Sequence, residues 1–98
     1  MIGGKLKALR ESKGLLQREV AAKLDVDTAY ISKMESDEKP VSRSYLKRLA
    51  RLFDVTEEEL LTVWLADRIY DVAKDETVAI KALKAAEQEI LNKSKQKL

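Results

Sequence analysis

A chain of 98 residues has room for one compact domain, or for a core domain with an appendage. It contains no cysteine and no histidine. That removes disulfides, thiolate or imidazole metal sites and the usual general bases and thiol nucleophiles, so neither an enzyme nor a bound metal or cofactor is expected. The net charge of +2 hides an asymmetry: residues 1–55 carry 12 Lys/Arg against 8 Asp/Glu, residues 56–92 carry 4 against 9, and Lys93, Lys95 and Lys97 follow. The basic half suits phosphates, because neutralising them releases counterions.

The periodicity is helical throughout, which predicts an all-α fold. A first helix is expected over about Lys5 to Lys13, with Ile2, Leu6 and Leu9 on one side and Gly14 as its stop. A second spans about Gln17 to Leu24 and buries Val20, Ala21 and Leu24. Asp27 is placed to cap a third, about Thr28 to Ser36, whose inner face holds Ile31 and Met34. A loop containing Pro40 follows, and Ser42 is expected to cap a fourth helix, about Arg43 to Phe53. Thr56 and Glu59 have the spacing of a capping box for a fifth, from Glu57 to about Lys74. A sixth is expected over about Glu76 to Lys93, before a frayed basic tail. Met1–Leu9 lacks the apolar run of a signal peptide, and the longest largely apolar stretch, Leu60–Ala66, is too short to cross a bilayer. No membrane association is expected, and the cytoplasm is the expected compartment.

Residues 17–36 satisfy the size rules of a helix-turn-helix. Small Ala21 stands where two short helices must cross, Asp25 can adopt the left-handed turn conformation, and Val26, Ile31 and Met34 can pin the second helix to the first. The stretch Leu16-Gln17-Arg18-Glu19-Val20-Ala21-Ala22-Lys23-Leu24-Asp25-Val26, followed by Ile31-Ser32-Lys33-Met34-Glu35, resembles the Cro/C1-type (XRE-like) helix-turn-helix family of phage repressors and bacterial regulators. The resemblance covers about residues 3–62 and departs at Asp25, where the family usually has glycine. It implies a five-helix DNA-binding domain over residues 1–62, with residues 63–98 as a helical extension.

The resemblance also implies roles. The helix from Thr28 matches the recognition helix, so Thr28, Ala29, Ser32 and Lys33 would read base edges in the major groove of double-stranded DNA. Gln17 matches a phosphate anchor at a helix N-terminus, and Arg18 joins it. Asp27 is either a helix cap or an acceptor from a cytosine amine. Tyr30 is either a partly packed ring or a phosphate donor. Arg10 and Glu35 match a structural pair that sets the recognition helix's angle. Lys39 and Arg43 match backbone or minor-groove contacts, against which stands simple surface charge.

The extension must bury its apolar positions on its own chain or on another. Trp64, Leu65, Ile69, Val72, Ile80 and Leu83 are therefore expected to form an extension core or a homodimer interface, the latter matching the two-fold symmetry of operators. The size is similar to controller proteins of restriction–modification systems and equally to small phage or plasmid repressors, with no small-molecule effector domain evident. The competing expectation is an antitoxin-like regulator whose C-terminal helices bind a partner protein.

Overall fold

The regular spacing of apolar residues resolves into six α-helices in the computed structural model, which describes residues 1–96. They are α1 (Ile2–Ser12), α2 (Gln17–Leu24), α3 (Thr28–Glu35), α4 (Leu46–Phe53), α5 (Glu57–Ala73) and α6 (Ala79–Gln96), with a 3₁₀ turn at Arg43–Tyr45. No strand occurs among the described residues. The core is drawn from the first five helices: Ile2 and Leu6 meet Val20, Ala21 and Leu24, then Ile31 and Met34, and the set closes with Leu46, Leu49, Ala50, Phe53 and fully buried Leu60. Val41 is the one loop residue in this core and pins the long connection between α3 and α4.

Helix α1 begins at Ile2, before the expected Lys5, despite two glycines that disfavour helix. Its first-turn amides find acceptors far away in sequence. Ile2 N–H donates to Asp67 Oδ2 at 2.7 Å and Gly3 N–H to Asp37 Oδ1 at 3.3 Å. Two carboxylates thus lie at the positive end of the helix dipole.

One device ends each of the first four helices. Gly14, Asp25, Asp37 and Asp54 all adopt left-handed backbone, with φ of 67°, 58°, 63° and 55°. In every case the following amide reaches back to close the last turn: Leu15 to the Arg10 carbonyl, Val26 to Ala21, Glu38 to Lys33 and Val55 to Ala50. This double-bonded stop normally uses glycine, because a Cβ in left-handed backbone costs energy. Exchanging Asp25 for glycine is therefore expected to stabilise the domain by about 1 kcal/mol, a gain of about 5 °C in Tm. A variant melting at or below the parent's temperature in a circular-dichroism scan would contradict this.

Three expected details differ. Ser42 does not cap α4 directly; its Oγ accepts from Ser44 N–H at 3.4 Å, opening the 3₁₀ turn that leads into α4 at Leu46. Thr56 Oγ1 accepts from Glu59 N–H at 3.1 Å, but Glu59 turns its carboxylate to Lys5 at 3.6 Å, so only half of the capping box is made. Helix α6 starts at Ala79 rather than Glu76 and runs through Gln96, past the expected end at Lys93, so Lys93 and Lys95 stand in its last turn; Lys97 lies outside the described residues.

The chain divides into two compact units, Met1–Arg68 and the residues from Ile69 onward. The first takes in Val63–Arg68, which the sequence alone groups with the extension. Within the second, Lys74 lies 3.5 Å from Asp71 and over the ring of Tyr70. Val72, Ile80, Leu83, Ile90 and Leu91 are exposed. No helix among the described residues is long and apolar enough to cross a membrane.

Candidate nucleic-acid interface

The short α3 is two-sided. Ile31, Met34 and Glu35 face inward, while Thr28, Ala29, Ser32 and Lys33, two adjacent pairs one helical turn apart, are exposed. All four expected base-reading residues thus share one open face. Asp27 sits at the N-cap position with extended backbone, yet its carboxylate makes no capping bond. The expected cap is missing, and the carboxylate is exposed beside the first turn of α3. Tyr30 is half-buried, its ring edge-on to Tyr45 with centroids 5.9 Å apart. Burial raises its hydroxyl pKa above the ordinary phenol value, Tyr45 adds to the shift and the Ser42 backbone partly offsets it. The hydroxyl therefore stays a donor at neutral pH.

A polar knot ties α3 to α1 and α2. Arg10 on α1 grips Glu35 through two bonds, Nε to Oε2 at 2.7 Å and Nη2 to Oε1 at 3.1 Å. Its Nη1 donates to the Leu15 carbonyl at 2.9 Å. The side chains are only 11% and 5% exposed, so water screens them little. The bond to Glu35 is the main reason the Arg10 pKa is raised, against the opposing effect of burial. Gln17 completes the knot, its Nε2 donating to Glu35 Oε1 at 3.0 Å. The residue expected to anchor a phosphate is thus also a strut between α2 and α3. No buried side-chain polar atom among the described residues lacks a partner.

Helix α2 presents its N-terminus beside this knot, with Arg18 exposed in its first turn. Glu19 Oε1 accepts from Leu16 N–H at 3.0 Å, steadying that turn. Lys39 and Arg43 are exposed on the connection after α3. Arg43 lies over the Trp64 ring, 5.8 Å from its centroid. Arg48, which in the sequence is one more solvated charge, stacks on Tyr45 at 5.2 Å and reaches the Leu24 carbonyl. Trp64, expected in the extension core, is half-buried against the first unit's core and donates Nε1–H to the Val41 carbonyl at 2.6 Å. Leu65, Ile69, Val72, Ile80 and Leu83 are exposed.

Two short helices, a left-handed corner and an outward polar face find their counterpart among known proteins. A family model described as helix-turn-helix matches residues 6–60, more than half the chain. The chain belongs to the Cro/C1-type helix-turn-helix family. Members of this family bind DNA in transcription regulation. A similar curated protein is the HTH-type transcriptional regulator PrpR of Mycobacterium tuberculosis (strain ATCC 25618 / H37Rv), 35% identical over 54 residues. The match covers 55% of this chain and 11% of that regulator, so the likeness spans only about a tenth of the relative's length. No solved structure matches the chain significantly. No cluster of acidic residues capable of holding a metal ion occurs among the described residues.

Proposed function

We propose that this helix-turn-helix chain is a sequence-specific regulator of transcription that binds double-stranded DNA as a homodimer on an inverted-repeat operator. One observation carries the reading: the four exposed residues of α3 share a face, on a helix that the Arg10–Glu35–Gln17 knot ties to α1 and α2. Thr28 and Ala29 offer methyl groups to thymine, Ser32 can donate or accept, and Lys33 can donate to guanine N7 and O6. The uncapped Asp27 carboxylate suits a cytosine amine. Gln17, Arg18, Tyr30, Lys39 and Arg43 would hold phosphates, Gln17 using its remaining donor and the first amides of α2. Exposed Leu65, Ile69, Val72, Ile80 and Leu83 supply apolar surface for a second copy, which in turn gives two recognition helices for the two half-sites. A role as a restriction–modification controller or a phage- or plasmid-type repressor in the cytoplasm fits this build.

The test is selection from a random duplex library at near-physiological salt, with sedimentation of the free protein. An enriched inverted repeat, with half-sites about one helical turn apart, supports the dimeric regulator. A lone half-site with a monomeric protein would overturn the dimer and favour an antitoxin-like role, in which another protein covers the C-terminal apolar residues. Lys33→Ala is expected to weaken operator binding by about 1–3 kcal/mol and relax preference at one base pair. An unchanged site preference would remove Lys33 from the reading set.

A further inference from the structure

Trp64 holds two cations on one ring. Arg68, one helical turn further along α5, lies 5.0 Å from the ring centroid, and Arg43, from the connection after α3, lies 5.8 Å away. The indole is itself fixed by its bond to the Val41 carbonyl and by packing against the core. Among the described residues, no carboxylate pairs with either guanidinium. The neighbouring Asp67 is engaged by the Ile2 amide.

That arrangement contrasts with Arg10. A carboxylate neutralises a guanidinium and consumes its donors, whereas an aromatic face attracts the cation and leaves its in-plane N–H groups available. Two like charges gathered near one ring also repel each other, and a polyanion relieves that repulsion. The two guanidinium carbons are separated by no more than about 11 Å. Phosphates on one strand advance about 3.4 Å each along the duplex axis, so the pair can serve neighbouring phosphates.

The geometry points to a second phosphodiester-binding site, formed by Arg43 and Arg68 and aligned by Trp64 as a positioning residue. It rests on the DNA-binding reading above and extends it to α5, beyond the residues of the helix-turn-helix itself. Arg68 becomes a DNA contact, and Trp64 acts through both arginines.

The test follows binding of a labelled duplex of arbitrary sequence by fluorescence anisotropy across a salt series. Each phosphate contact contributes about one to the slope of log K against log salt. Arg68→Gln and Arg43→Gln, both at exposed positions, are each expected to make that slope shallower by about one and to weaken binding several-fold. Trp64→Leu is expected to flatten it similarly without changing net charge, and Trp64→Phe, which keeps a ring, to restore most of it; circular dichroism verifies that both variants fold. The emission of Trp64, the chain's sole tryptophan, is expected to change when duplex is added to the parent protein. If the parent binds duplex but Arg68→Gln keeps the parental slope, the second site is wrong and the DNA-binding reading stands. If the parent binds no duplex at any salt, both fall together.

Discussion

Glu35→Ala is expected to cost the domain about 3 kcal/mol and to lower its Tm by more than about 10 °C. The carboxylate accepts from Arg10 Nε, Arg10 Nη2 and Gln17 Nε2, and its removal strands all three donors at once. Arg10 keeps one bond, to the Leu15 carbonyl, but its charge then lies in a nearly enclosed site without a counter-ion. Removing one partner of a buried ion pair typically costs about 3–5 kcal/mol, and the residual exposure of Arg10 puts this case at the lower end. Small domains have only about 5–15 kcal/mol in total. The double variant Arg10→Met with Glu35→Leu should recover much of the loss, because a packed apolar pair replaces the ionic one without an orphaned charge. DNA binding by Glu35→Ala should fall even where circular dichroism shows the protein folded, since α3 has lost the tie to α1 and α2. A single variant within about 1 kcal/mol of the parent would mean that the knot behaves like an ordinary surface pair.

The second large effect is expected at Gly3. A Cβ there would lie 2.5 Å from the Met34 carbonyl oxygen and 2.9 Å from that of Glu35. These are backbone atoms at the end of α3 and cannot rotate aside, so Gly3→Ala must push α1 and α3 apart, at about 2 kcal/mol. Alanine's better helix propensity, about 1 kcal/mol, acts in the opposite direction and makes the neighbour a control. An added methyl group at Gly4 would meet nothing within 4 Å, so Gly4→Ala should stabilise by about that amount. Thermal melts of both variants check the pair; equal melting temperatures would show that no close approach constrains Gly3.

The helix order and most of the interior are readable in the sequence because both depend on local spacing. Val20, Ala21, Leu24, Ile31 and Met34 recur at helical intervals and are buried as expected. The spacing that groups Thr28, Ala29, Ser32 and Lys33 also carries over directly, since one short helix holds them all. What is not readable depends on long-range contact. The early start of α1 needs acceptors from Asp67 and Asp37, and no local pattern announces a partner 65 residues away. By spacing alone Trp64 is one more apolar position of the extension, and only the packing of α5 against Val41 brings it beneath Arg43. The engagement of Gln17 with Glu35 is hidden in the same way, because it requires α2 and α3 to be crossed first. Asp37 and Asp54 are legible as helix stops by residue type alone, since aspartate tolerates left-handed backbone better than most residues other than glycine.

Those aspartate stops make the domain unevenly open to improvement. Asp25 and Asp54 do the same geometric task at φ of 58° and 55°, each with its carboxylate at the negative end of a helix, where the dipole disfavours it. Glycine at both would relieve two separate corners, and gains at separate sites usually add. Asp37 is different, because its carboxylate also accepts from Gly3 N–H and steadies the start of α1. A third glycine there would trade backbone relief for a lost cap. A chain optimised for endurance would therefore change at two of its three aspartate corners and keep the third.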